Sequence, residues 1–324
     1  MATTNSTIEK IAPMFTDLLI KKIECLKTDW QKPWIASLEQ GLPRNIRGTL
    51  YNGGNVLMLL FYTEFMKFTL PVFLTFNQAK EEDLSVCKGA RSFPVYYWFK
   101  FVVHKETKKT IKYEEYRKLP ATEQENYKVI PQMKYYNVFN IDQTDFAGKY
   151  PERYERMKKG EQPEDCSDGM IYEALDELVY LQNWYCPIKV QYSDSAYYSP
   201  SSDHIICPQR EQFPQGAEYY GTLLHEMAHS TGSPQRLNRT FGSLFGDALY
   251  AREELVAELT AALCGAFFGY AAVPQENNAA YLKHWLTKLK EEPAFLVEIL
   301  GDVNKAAKMI ADKVTEPINE PAAA

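Results

Sequence analysis

The sequence predicts an α+β protein of two domains, and three observations carry that reading. The chain has 324 residues, beyond the usual size of one domain. Its charge is divided: residues 1–150 hold 21 Lys+Arg against 16 Asp+Glu, a balance of +5, while residues 151–324 hold 15 against 26, a balance of −11. Between the halves, AGKYPERYERMKKGEQPEDCSDGM is polar, charged and punctuated by Gly and Pro, the composition of a linker. The expected boundaries are a domain at 1–150, a linker at 151–170 and a domain at 171–324.

A hydrophobic fraction of 45% with 24% charged residues is ordinary for a globular chain. The sequence contains no apolar run of membrane-spanning length, and its start, MATTNSTIEK, lacks the basic and apolar regions of a secretory signal. A cytoplasmic protein with no membrane partner is expected. Six cysteines, at positions 25, 87, 166, 186, 207 and 264, form no CxxC pair, so buried reduced thiols are expected rather than disulfides or a thiolate metal site.

In the first half, rings interleave with basic residues in DWQKPW, PRNIRGTLYNGGN, TFNQAK and VCKGARSFPVYYWFKF. Single-stranded nucleic acid is held by rings that stack on bases and by cations that follow the phosphates. Trp34, Tyr51, Tyr97 and Trp98 are the candidates for stacking, and Lys32, Arg44, Lys88 and Arg91 for phosphate contact. Asn45 and Asn55 are polar neighbours in the same segments. The competing role for such rings is core packing.

The second half opens on IYEALDELVYLQNWY, whose apolar residues at 171, 174, 175, 178 and 181 predict an amphipathic helix. IKVQYSDSAYYSPSSDHIICP alternates around the turn SPSSD and predicts a hairpin containing His204. Next comes GTLLHEMAHSTGS. On a helix, residues four apart share one face, so His225 and His229 can aim a ring nitrogen at one cation. Glu226 projects beside that point and can serve as a general base. This is the HExxH pattern of zinc peptidases, with Tyr219, Tyr220, Leu223, Leu224, Met227 and Ala228 as the buried sides of the helix. Gly232 and Pro234 read as its terminator.

A catalytic zinc site needs a third protein ligand. Gln235 stands where a third histidine would follow Gly232, and an amide is a poor zinc ligand. The alternative is YAREELVAELTAALCGAFFGY, apolar on nearly every side from Leu255 onward and so a core helix, into which Glu254 and Glu258 are placed four apart. A carboxylate there is costly unless paired or metal-bound. Glu254 is expected as the third ligand, and Glu258 as acceptor for the other N–H of a ligand histidine. Solvation at the first turn of the helix is the competing role for these carboxylates, most of all for Glu253. His104, His204 and His284 are expected in surface or packing roles.

The order of WQKPW, LPRN, YNGGNVLMLL, TFNQAK, KGARS, YYNVFNIDQT, YSPSSDHIICP, HEMAHSTG, RLNR and YAREELVAEL resembles the ArdC-type antirestriction proteins of plasmids and other mobile elements. The likeness runs from about Trp30 to the last helices. It implies an N-terminal single-stranded-DNA-binding domain, then a zincin-like metallopeptidase domain holding Zn2+ at His225, His229 and most plausibly Glu254, with Glu226 as catalytic carboxylate. Ser233 departs from the histidine many relatives carry, and residues 106–132 look like an insertion between strands. The expected function is protection of incoming single-stranded DNA together with cleavage of an unidentified protein substrate. The alternative is a DNA-binding protective protein whose zinc site is structural or vestigial.

Overall fold

The computed structural model describes residues 4–28, 33–35, 38, 40–159, 171–242, 248–270 and 281–316. In the first half, the elements are α1 (Thr4–Thr28), β1 (Arg44–Asn45), α2 (Gly54–Met66), β2 (Val72–Leu74), α3 (Phe76–Glu81), β3 (Phe93–His104), β4 (Thr110–Ile111), α4 (Tyr113–Tyr116), α5 (Ala121–Gln124), β5 (Tyr127–Asn140), α6 (Phe146–Lys149) and α7 (Pro151–Lys158). In the second they are α8 (Glu173–Tyr180), β6 (Ile188–Gln191), β7 (Tyr197–Ser199), β8 (His204–Pro208), α9 (Gly216–Thr231), α10 (Ala248–Phe268), α11 (Leu282–Glu291) and α12 (Ala294–Val314). The α+β class is as the sequence predicts. Residues 151–158 of the expected linker form α7, and 160–170 lie outside the described residues.

A five-stranded sheet, in the order β1-β2-β5-β3-β4, organises the first half. Its centre is the antiparallel pair β3–β5, in register from Phe93↔Val138 to His104↔Tyr127. The stretch 106–132 occupies the connection between these strands, with β4, α4 and α5 inside it and its last residues already in β5. A smaller sheet, β6-β8-β7, lies in the second half, with β6 parallel and β7 antiparallel to β8. The predicted hairpin is thus β7–β8. The predicted helix at 171 is shorter than its apolar pattern: Leu175 and Leu178 are buried, whereas Ile171 and Leu181 flank α8 and are exposed.

The core does not divide at the charge boundary. Ile11, Phe15, Leu19, Ile23 and Leu26 recur every three or four residues along α1 and bury one stripe. That stripe belongs to the same apolar cluster as Leu223, Leu255 and Leu300 of the second half. α1 packs on α11 and α12 as well as on α2 and β5, and Thr16 Oγ1 donates to Pro293 O at 3.0 Å. The pair Gly53–Gly54 admits α2 to this junction. Gly53 has φ of 56°, and a Cβ on Gly54 would stand 2.8 Å from the Tyr96 hydroxyl and 3.2 Å from Leu300.

Candidate metal centre and nucleic-acid face

α9 carries the HExxH residues on a helix whose C-terminal carbonyls are all taken. Ala228 O accepts from Arg239 at 2.8 Å, His229 O from Gly232 N at 2.8 Å, Ser230 O from Arg236 Nε at 2.6 Å and Thr231 O from Leu237 N at 2.9 Å. The segment RLNR therefore caps this helix, and its two guanidinium charges lie where the helix dipole is negative. Gly232 ends the helix as expected, although for a different reason. Its φ is −77°, so left-handed backbone is not what it supplies. A Cβ there would come within 2.9 Å of the Arg239 guanidinium and 2.8 Å of Phe241, so glycine is required for space.

On this fixed helix, the two Nε2 atoms of His225 and His229 lie 3.0 Å apart. α10 packs alongside and brings Glu254 to 3.5 Å from His225 Nε2 and 3.6 Å from His229 Nε2. One ligand atom from each of the three lies within 4.8 Å of the others, and no other such group of His, Cys, Asp or Glu occurs among the described residues. Two imidazole nitrogens and a carboxylate oxygen converging in a buried place are a donor set for a divalent metal, and the residues fit one. The electrostatics agree. Burial disfavours charge on both rings, but the surrounding carboxylates outweigh it, Glu254 foremost, and raise both histidine pKa values. Burial likewise opposes charge on Glu254, yet the two histidines hold its carboxyl well below the usual range. The pocket thus favours positive charge at its centre.

The other faces of the rings are also held. His229 Nδ1 is 3.2 Å from Glu253 Oε1, and Glu253 receives Arg239 Nε at 2.9 Å and Nη2 at 2.6 Å. Glu253 is buried rather than solvated at a helix terminus; the competing role does not hold for it, because Arg239 pairs with it in the interior and neutralises it. His225 Nδ1 has Glu258 Oε1 at 3.5 Å, and Glu258 Oε2 accepts from the Trp34 indole at 2.7 Å. Glu226 is buried beside both histidines; burial raises its pKa, partly offset by the two rings and by the nearby Tyr198 backbone. Tyr198 belongs to β7, the last strand of its sheet, anchored where its hydroxyl meets Asp203, itself paired with Arg236. Nothing in the local pattern of Trp34, Arg236 or Arg239 announces these roles.

The candidate DNA residues separate into several groups. Trp34 is only 1% exposed, with its ring in the core and its N–H on Glu258, so it has no face for a base; the stacking role is corrected to a structural one. Asn55 is likewise structural: its side chain donates to Tyr96 O at 2.7 Å and accepts from Tyr96 N at 3.1 Å, tying α2 to β3. Asn45 Oδ1 accepts from Arg47 N and Thr49 N and closes a turn. Arg44 and Tyr51 are half-buried, Arg44 donating to Gln40 O and Tyr51 edge-on to Phe73. Lys88, Arg91 and Trp98 are exposed. Lys32 lies outside the described residues. The exposed rings gather on the β3–β5 pair: Trp98 at 53%, Tyr97 at 45% and Tyr136 at 40%, with Tyr97 and Tyr136 centroids 6.1 Å apart and Lys134 4.5 Å over the Phe99 ring. Tyr136 was within reach of sequence reasoning, since Lys134, Tyr135 and Tyr136 likewise set rings beside a basic residue.

His104 accepts from two backbone amides and packs on Tyr127, and His204 meets Ser202, as expected of surface and packing residues. Cys186, Cys207 and Cys264 are buried thiols as expected, but Cys25 and Cys87 are exposed, Cys25 because it falls off the buried stripe of α1; Cys166 lies outside the described residues. No described helix is long and apolar enough to cross a membrane.

A helix bearing two histidines four apart, with a glutamate from the following helix closing the triangle, defines a zincin-like centre. Comparison with known proteins agrees: residues 174–299 match a zincin-like metallopeptidase family, and residues 9–139 match the N-terminal domain of anti-restriction factor ArdC. The metal-free crystal structure of the antirestriction ArdC protein from the R388 plasmid is 28% identical, with a TM-score of 0.66 over 94% of this chain and 97% of that one. The Mn(II)-bound form gives 0.67 over 95% and 99%. Two DNA primase TraC proteins of Escherichia coli are 28% and 29% identical over 94% and 89% of this chain, which spans only 28% and 19% of their lengths. Protein y4eC of Sinorhizobium fredii is 27% identical over 89% of this chain and 87% of its own. The chain thus carries the ArdC N-terminal domain followed by the zincin-like metallopeptidase domain, and over nearly its whole length it is similar to the ArdC antirestriction protein.

Proposed function

We propose that this protein binds single-stranded DNA through the first half and carries a zinc-dependent peptidase site in the second, and that the two together protect incoming mobile-element DNA from restriction. The boundaries 1–150, 151–170 and 171–324 are proposed with it. The observation that carries the peptidase reading is Glu226: a buried carboxylate beside the His225, His229 and Glu254 donor set, on a helix packed against the edge strand β7.

A zinc ion held by His225, His229 and Glu254 would supply Lewis-acid polarisation of a substrate carbonyl. Glu226 takes a proton from the attacking water onto its carboxylate and returns it to the leaving amine. Burial supports that role, because it raises the carboxyl toward the working pH of a base. β7 offers a partner for an extended peptide, laid beside Glu226 by strand addition. Glu253 holds the His229 ring by its Nδ1, and Glu258 faces the His225 Nδ1 at 3.5 Å.

The DNA reading is supported by the exposed rings Trp98, Tyr97 and Tyr136 on one strand pair, with Lys134, Lys88 and Arg91 as cations of the same half. Arg44, Asn45, Tyr51 and Lys32 remain candidates from the sequence.

The experiment is Glu226→Gln in the full chain, assayed for metal content, DNA binding, cleavage of candidate proteins and protection of transferred DNA. Loss of cleavage and protection with metal and DNA binding retained is expected. Protection that survives the substitution would leave a DNA-binding protein with a structural metal site.

A further inference from the structure

Trp34 comes from the half of the chain that carries no metal ligand, yet its indole reaches the metal centre. Its Nε1–H donates to Glu258 Oε2 at 2.7 Å across 224 positions of sequence, and both side chains are buried. The other oxygen of Glu258 faces His225 Nδ1 at 3.5 Å. We propose that Trp34 is a positioning residue of the metal centre: its N–H fixes Glu258, Glu258 fixes the ring of His225, and the N-terminal half thereby completes a site that the zincin-like half alone leaves unfinished.

Three features of this contact support the assignment. A carboxylate on a core helix is costly without donors, and the indole supplies one at charge-assisted distance. Once one oxygen is held, the rotamer of Glu258 is set and its second oxygen stays on the His225 side. The His225 ring needs that contact, because its Nδ1 is buried without a hydrogen-bond partner and the Glu258 carboxylate faces it at 3.5 Å. His229 has a different anchor, Glu253 with Arg239, drawn wholly from the second half. The two ligand rings are therefore held from opposite halves, and only the His225 side is open to influence from the N-terminal one.

The inference rests on the metal reading of His225, His229 and Glu254, and the test separates the two. Trp34→Phe, and an isosteric benzothienylalanine at position 34 that keeps the ring shape without an N–H, are titrated in the full chain with Co(II) and followed by its visible d–d bands. About tenfold weaker binding is expected in both, with altered band intensity, and the metal-free benzothienylalanine protein should still melt in one cooperative transition. In a Glu258→Gln background the same changes at position 34 should add nothing further. Parent-like Co(II) affinity and spectra in the benzothienylalanine protein would overturn the role of Trp34, as would full additivity with Glu258→Gln. A parent protein that takes up no Co(II) would defeat the metal reading itself. The isostere preserves packing, so it decides the question even if the phenylalanine variant fails to fold.

Discussion

Arg239→Met is the most informative single change outside the ligands. The guanidinium makes four hydrogen bonds: two to Glu253, one to Thr231 Oγ1 at 2.8 Å and one to Ala228 O at 2.8 Å. Arg239 and Glu253 side chains are each only 4% exposed, so this pair is scarcely screened by solvent. Methionine fills much of the space but leaves the Glu253 carboxylate buried without its cation, which costs about 3–5 kcal/mol for pairs of this kind. With about 2.1 cal/mol/K of unfolding entropy per residue over 324 residues, that loss lowers Tm by about 4–7 °C. The double variant Arg239→Met/Glu253→Met removes the stranded charge and should recover part of the loss. It should not recover all, since Ala228 O and Thr231 Oγ1 still lack their donor. Differential scanning calorimetry of the metal-free proteins measures both. A single-variant loss below about 1 kcal/mol would place the pair among exposed ion pairs and refute the reasoning. So would a double variant less stable than the single one.

Glu254→Ala should remove bound metal from the purified protein, read by elemental analysis; undiminished metal would move the third ligand to Glu258 or His284. Trp98→Ala should weaken single-stranded DNA binding by about 1–3 kcal/mol with the fold intact, whereas Trp34→Ala should destabilise the fold by about 3–5 kcal/mol and leave the remaining folded protein able to bind. Gel shifts beside thermal melts separate the two, and equal effects on DNA binding would count against Trp98 as a stacking ring. Asp203 has a folded-state pKa below its ordinary value of 3.8, chiefly through the hydrogen bond from Arg236, with burial opposing. A carboxyl depressed on folding adds stability that is present above its unfolded pKa and lost as pH falls through its folded one. The Tm gap between parent and Asp203→Asn should therefore be steady from pH 7 to about 5 and close below about pH 4. A gap independent of pH would contradict that pairing.

What the sequence by itself determined is what lies within a few residues. His225, Glu226 and His229 share a helix face because of a spacing of four, Glu254 and Glu258 share another, and SPSSD turns β7 into β8. These are fixed by backbone periods and turn chemistry, which need no partner from elsewhere. The tertiary structure decided what holds those residues in place. Arg239 reaches Glu253 across 14 positions and turns an apparently solvated carboxylate into a buried anchor. Asn55 reaches Tyr96 across 41 and so becomes a tie between helix and strand instead of a nucleic-acid contact. Trp34 and Trp98 look alike in an aromatic, basic segment, but α2 and α10 close over the first, while β3 leaves the second exposed. The charge division between halves, plain in the sequence, did not mark a division of the core, because the stripe on α1 finds its apolar partners on α12 at the far end of the chain. Side-chain pairing over such separations depends on which surfaces the whole fold brings together, and no local period encodes it.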